Sequence, residues 1–254
     1  MTNQEVRFKC MEYFIGKEFT RYDCCAADFL KNENKVVLAD DADADLLSMV
    51  CFGAGAVIKA KKEIFEWCKR FASVQEGFRC FDLQQVVLLG QVFRNYNLFV
   101  QGGHGMLPDV SRQFTVTCDC AEIRVFEADK KEKMFGYIDE KEWHMCRPNA
   151  ETALIVVAFS GNKIVGMATA DRESELLWSI DAEVLPAYRH KGIAVALTNT
   201  ITNRIMARDG IPFATGAWSN TASRATLHAC GYYQAWTMLS SCEKDWAKAG
   251  SLAE

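Results

Sequence analysis

The stretch from Leu176 to Leu197, LLWSIDAEVLPAYRHKGIAVAL, constrains this chain more than any other. An apolar strand, Leu176 to Val184, runs into a turn. A helix-forming run leaves that turn, with Ala194, Leu197, Ile201 and Ile205 on one face. The junction reads Arg-x-x-Gly-x-Ala, from Arg189 to Ala194. Such a step aims consecutive backbone N–H groups at one small anion. The first amides of a helix have no partner inside it, and the helix dipole favours negative charge at that end. Gly192 has no Cβ, so a bulky phosphate can approach the backbone there. The stretch reads as a pyrophosphate cradle in an α/β chain.

Its surroundings alternate regularly. Ala153 to Phe159 is a strand, Ser160-Gly161-Asn162 a tight turn and Lys163 to Ala170 the return strand, so the three form a hairpin. Leu176 to Val184 is a third strand, and Gly192 to Arg208 is a helix that Asp209-Gly210 ends. Then follow a strand from Ile211 to Trp218, a helix from Ser219-Asn220 through Cys230 that Gly231 closes, and a last strand from Tyr232 to Leu239.

The first half is less regular. Residues 1–30 read as helical, with Val6, Cys10, Phe14 and Ile15 at helical spacing. Lys35 to Ala39 is a short strand. The aspartates between Asp40 and Asp45 lack the glycine and closing glutamate of a calcium loop, so they read as a solvated turn. Gly53-Ala-Gly55 opens an amphipathic helix running through Phe71. It has neither the third glycine nor the later acidic residue of a dinucleotide site, so it reads as close helix packing. Phe81 to Gly90 is a helix with Asp82 near its N-cap. His104, between glycines, reads as a loop histidine and is a candidate to line a site. Residues 113–127 alternate like one or two strands, and Asp129 to Phe135 reads as a short charged helix. The change of pattern puts a domain boundary near residue 120. Residues 1–120 form a smaller N-terminal α/β domain and residues 121–254 the second domain.

Composition narrows the function classes. A net charge of -4 is a poor match to nucleic acid, which needs clustered Lys and Arg. The longest apolar run, Ala153 to Phe159, is too short to span a bilayer, and the N-terminus MTNQEVRFKC has no secretory core. The 11 cysteines are scattered without a C-x-x-C pair, which reads as buried thiols in a reducing cytoplasm. On a strand, Cys118 and Cys120 would share a face, with no further ligands at useful spacing for a metal.

Taken together, Val184-Leu-Pro-Ala-Tyr-Arg-His-Lys-Gly-Ile-Ala194, Trp218-Ser-Asn-Thr-Ala-Ser223 and Gly231-Tyr232 resemble the GNAT acyltransferase superfamily in order and spacing. With Pro212-Phe213 and Gln234-Ala235-Trp236, the pattern is similar to a bacterial subgroup that carries an additional N-terminal domain. The resemblance covers about residues 150–240. It implies the GNAT fold, a mixed α+β sheet, in the C-terminal half. It also implies an acyl-coenzyme A, usually acetyl-CoA, as acyl donor. By the family pattern, the amides of His190, Lys191, Gly192, Ile193, Ala194 and Val195 hold the pyrophosphate. Arg189 opens the turn or anchors it. The edge Ala182-Glu183-Val184 pairs with pantetheine, an N–H near Val184 polarises the thioester carbonyl, and Asn220 contacts pantetheine.

Attack on a thioester needs a neutral amine. Glu183 ends the third strand and is the candidate base, set against a plain solvent-facing or salt-bridged role. Asp181, on the same strand face, is the reserve base or the grip for a cationic substrate. Relatives often carry a tyrosine general acid seven residues after Asn220, where this chain has Leu227. His228 lies about 100° further around the helix, which leaves Tyr232 and Tyr233 as proton donors. The expected activity is acetyl transfer to a primary amine of a small molecule or peptide by direct attack on the thioester. The alternative is a non-catalytic acyl-CoA sensor. Residues 1–120 are expected to shape the acceptor pocket or a homodimer contact.

Overall fold

The computed structural model describes residues 1–14, 24–40, 45–112, 115–127, 143, 146, 148–149 and 151–243. In chain order these form α1 (Asn3–Phe14), β1 (Lys35–Ala39), β2 (Leu47–Cys51), β3 (Ala56–Lys61), α2 (Lys62–Ser73), α3 (Leu83–Arg94), β4 (Leu98–Pro108) and β5 (Glu122–Glu127). Then come β6 (Thr152–Ser160), β7 (Lys163–Arg172), β8 (Leu177–Val184), α4 (Ile193–Met206), β9 (Ile211–Ala217), α5 (Thr221–Ala229) and β10 (Tyr232–Glu243). The architecture is α/β, as expected.

The chain divides into two compact units, and neither is one continuous stretch. The first comprises Met1–Val6, Met106–Gly216 and Asn220–Tyr233; the second comprises Arg7–Gly105, Ala217–Ser219 and Gln234–Glu254. The boundary expected near residue 120 falls inside the longest segment of the first unit.

The first unit carries the strand order β5-β6-β7-β8-β9. Pairing is antiparallel from β5 to β8 and parallel between β8 and β9. The β6–β7 hairpin turns at Gly161, whose φ of 60° suits a residue without Cβ. Both faces of the sheet are covered, which explains the nearly continuous apolar run of β6. On one face, Ile193, Leu197, Ile201 and Ile205 of α4 pack with Leu154, Val156, Ala168, Ile180 and Val184. On the other, Ile155, Val157 and Met167 cluster with Trp143 and Cys146. A Cβ on Gly166 would lie 2.9 Å from Ile193 and Leu197, so glycine lets α4 settle closely on β7.

The second unit carries the order β1-β3-β2-β10-β4. Residues of α2 and α3, among them Ile64, Phe71, Leu89 and Phe93, pack with Met49, Ile58 and Leu239 of its strands. A separate aromatic cluster joins Phe29, Phe52 and Trp236, with ring centroids 5.3 and 5.4 Å apart.

The local expectations fare unevenly. Gly53 and Gly55 do not open a helix. They turn β2 back into β3, which pairs antiparallel with it, and the helix begins only at Lys62. A Cβ on Gly55 would lie 2.2 Å from the carbonyl oxygen of Glu33, so the glycine serves backbone against backbone. His104 is not in a loop but on β4, 1% exposed. The helical reading of residues 1–30 holds for α1. Ile15, the interior of the aspartate run and the expected helix at Asp129 to Phe135 lie outside the described residues. Among the described residues of 113–127 the one strand is β5, which Cys118 and Cys120 precede. Among the described residues no three His, Cys, Asp or Glu side chains are placed to hold a metal, and no helix is long and apolar enough to cross a membrane.

Candidate functional site

Two features of the first unit meet at the C-terminal end of β8. The parallel register between β8 and β9 covers Leu177↔Ile211, Trp178↔Pro212 and Ser179↔Phe213. Beyond Ser179, β8 keeps its ladder with β7 as far as Val184↔Gly166, while pairing with β9 stops. The edge of β8 at Ala182-Glu183-Val184 is thereby opened on the β9 side. An extended chain with amide groups can add itself to such an edge as a strand does.

The second feature is the turn that follows. Pro186–Tyr188 makes one short 3-10 turn, and the peptide N–H of Leu185 ties its start to the Val165 carbonyl at 3.0 Å. Arg189 donates from Nε to the Val184 carbonyl at 3.0 Å, so its side chain braces the strand end, the anchoring role. His190 and Gly192 both take left-handed backbone, at φ 62° and 79°. For histidine this conformation costs about 1–2 kcal/mol, a strain that the turn holds in place. Gly192 is the N-cap of α4, and a Cβ built there would meet no atom within 4 Å. The Lys191 ammonium lies 5.4 Å from the centroid of the Tyr188 ring, which holds a positive charge beside the turn. Open space at the glycine, first-turn amides at a helix N-terminus and flanking cations fit a diphosphate.

Asp181 and Glu183 lie on the sheet face opposite α4, because Trp178, Ile180 and Val184 face the helix and side chains alternate along a strand. Opposite them on β7 stand Thr169 and Met167. Glu183 is half-buried, and its Oε2 accepts the N–H of Cys146 at 3.2 Å, which fixes the carboxylate near the strand end. Asp181 keeps an open surface, yet enough protein surrounds it that desolvation, then the charge of Asp171, pushes its carboxyl above the usual range. Asp171 is held in turn by the Thr152 hydroxyl at 2.7 Å and the Asn149 amide at 3.1 Å. The Cys146 thiol is pushed up by burial and by Asp181 and Glu183, so it stays neutral beside them.

The remaining candidates divide. Asn220 caps α5, its Oδ1 accepting the Ser223 N–H at 3.1 Å, which accounts for the Asn-x-x-Ser spacing locally. Leu227 is a core residue, 6% exposed. Tyr232 is a correction: it was expected as a proton donor, but it is 2% exposed and shares a 2.7 Å hydrogen bond with Thr202. Burial pushes its phenol far up, so it has neither access nor acidity. His228 is exposed, with Nδ1 at 2.9 Å from the Tyr232 carbonyl. His104 lies in the second unit. Sequence reasoning missed the Cys146 amide and the Tyr188 ring. The first lies 37 positions from its carboxylate, and no local spacing signals it.

Residues 120–232 match the family model of the Acetyltransferase (GNAT) family. No curated protein matches the chain. Among solved structures, it is similar to an acetyltransferase from the GNAT family of Colwellia psychrerythraea, at 10% identity, 61% of each chain covered and a TM-score of 0.40. For a GCN5-related N-acetyltransferase from Sphaerobacter thermophilus the identity is 14%, coverage 60% of this chain and 55% of that one, and the TM-score 0.47. For a GCN5-related N-acetyltransferase-like protein from Streptococcus suis the figures are 11%, 80%, 87% and 0.45. The chain spans between 55% and 66% of the length of four such structures, these first two among them.

Proposed function

Since residues 120–232 belong to the GNAT acetyltransferase family, we propose that the chain transfers an acetyl group from acetyl-CoA to a primary amine of a small molecule or peptide. The observation that carries this reading is the opened edge of β8 running directly into the left-handed turn at Gly192. Bound there, acetyl-CoA supplies the activated thioester. The amides of His190 to Val195 hold its diphosphate, and Ala182 to Val184 align its pantetheine arm. Asn220, whose Oδ1 is committed to the cap, offers Nδ2 to the same arm. Glu183, held by the Cys146 amide, takes the proton from the incoming amine. Asp181, reachable and acidic, attracts a cationic acceptor to the same sheet face.

The test is a titration of the full chain with acetyl-CoA, followed by a thiol-release assay on an amine panel. Gly192→Glu is expected to abolish binding, since it adds bulk and negative charge at the cradle. Equal affinity of the variant would overturn the assignment. Glu183→Gln is expected to bind acetyl-CoA unchanged and to lose on the order of 10²-fold or more in turnover.

A second reading, a non-catalytic acyl-CoA sensor, is favoured by one observation. Leu227, at the family's proton-donor position, and the candidate donor Tyr232 both belong to the core. Turnover with any amine in the panel excludes it.

A further inference from the structure

The thiols of Cys118 and Cys120 lie 2.8 Å apart, sulfur to sulfur, before β5. Closing to the ~2.05 Å of a disulfide takes a movement of less than about 1 Å. Cys120 is exposed and Cys118 partly so, as are Cys25 and, in part, Cys24 and Cys242, whereas Cys10, Cys51, Cys68, Cys80, Cys146 and Cys230 are buried. Both sulfurs also rest on one distant atom, the carbonyl oxygen of Lys191, at 3.6 and 3.5 Å. That carbonyl and the Gly192 N–H belong to one planar trans peptide unit and point in opposite directions. A thiol that donates to the carbonyl therefore aims the Gly192 amide away from the sulfurs and keeps the peptide plane from rotating.

We propose that Cys118 and Cys120 form a reversible dithiol–disulfide site, and that its closure releases the Lys191–Gly192 peptide and weakens coenzyme A binding. The effect on coenzyme A rests on reading the turn as its cradle. The oxidant is a low-molecular-weight disulfide. One protein thiolate attacks it, forming a mixed disulfide and expelling the first small thiolate. The second protein thiolate then attacks the protein sulfur of that mixed disulfide and expels the other. One S–S bond breaks and one forms, and the two protein thiol protons end on the two released small thiols. A disulfide has no S–H, so no thiol donor to the Lys191 carbonyl remains. The hydrogen bond with Cys118 holds the Cys120 thiol above its ordinary value, so exchange quickens as pH rises.

The test equilibrates the full chain with glutathione disulfide or with a reducing thiol. The Cys118–Cys120 peptide is read by mass spectrometry, and coenzyme A binding by calorimetry. The expected result is a peptide lighter by two hydrogens that resists alkylation, and affinity on the order of tenfold weaker, equivalent to about 1.4 kcal/mol. The Cys118→Ser/Cys120→Ser chain should bind coenzyme A equally in both buffers. A reduced chain that binds coenzyme A but forms no Cys118–Cys120 disulfide overturns the site. A disulfide that leaves affinity unchanged overturns the coupling, and so does an oxidant effect that persists in the serine variant. A reduced chain that binds no coenzyme A overturns the cradle reading and the coupling with it, while the mass measurement still decides on the disulfide.

Discussion

Asp181 and Glu183 stand two residues apart on one strand, yet their surroundings separate their roles. Glu183 gains a backbone donor from Cys146, while Asp181 faces desolvation and the charge of Asp171. The raised carboxyl of Asp181 has a consequence for stability. Above an unfolded value near 3.9, the folded chain binds more protons at this site than the unfolded chain does. Its contribution therefore falls as pH rises through that window and then stays level. Asp181→Asn removes the loss. The difference in Tm between variant and parent should move in favour of the variant from pH 3 to pH 7, as thermal melts at both pH values would show. A difference that does not change with pH would mean that Asp181 is as well solvated when folded as when unfolded. Alternation along β8 already put both carboxylates on one face; which of them is held and which is desolvated depends on residues far along the chain.

Elements were legible where one pattern dominated. The β6–β7 hairpin, β8, α4 and α5 follow from runs bounded by turn residues. The failures share a cause: a glycine signals freedom of the backbone but does not say what makes use of it. In β4, glycines that suggest a loop instead make room for indole rings. A Cβ on Gly105 would lie 1.8 Å from Trp236, and one on Gly102 would lie 2.4 Å from Trp218. The Trp218 indole N–H in turn donates to the Gly103 carbonyl at 2.6 Å. Gly105→Ala should therefore cost about 1–3 kcal/mol by forcing Trp236 aside. Denaturant unfolding followed by tryptophan fluorescence would measure it, and a neutral substitution would show that the ring has room to move. Similarly, Ala56–Lys61 merges with the amphipathic helix behind it because a short apolar run carries no period that separates strand from helix.

At the level of the whole molecule, the two units exchange chain several times. The first unit draws Met106 into its core, and Asn3 binds Asp109 at 2.7 Å. The Asp109 N–H donates to the Gly231 carbonyl at 2.9 Å, and the Val116 N–H to Asn199 Oδ1 at 3.1 Å. In the second unit, β10 pairs with β2 from Thr237↔Cys51 to Ser240↔Ser48. A fragment of residues 121–243 lacks Asn3, Met106, Asp109, Val116 and β2. It should melt at a lower temperature than the full chain and with less cooperativity, as circular dichroism would record. A fragment with the parent's Tm and coenzyme A affinity would show that these ties contribute little.

The division between sequence and structure follows the range of the interactions involved. By itself the sequence determined the strand, the glycine at the turn and the helix start, because strand pattern, unpaired first-turn amides and a missing Cβ are properties of neighbouring residues. From these came the reading of an anion cradle and the resemblance that the family model matches over residues 120–232. Only the tertiary structure decided that β8 and β9 part after Ser179, that Cys146 holds Glu183, that Tyr232 is sealed in the core and that Cys118 and Cys120 rest on Lys191. Each depends on packing between residues distant in the chain, where burial and the closing of many contacts at once choose partners that no local spacing encodes.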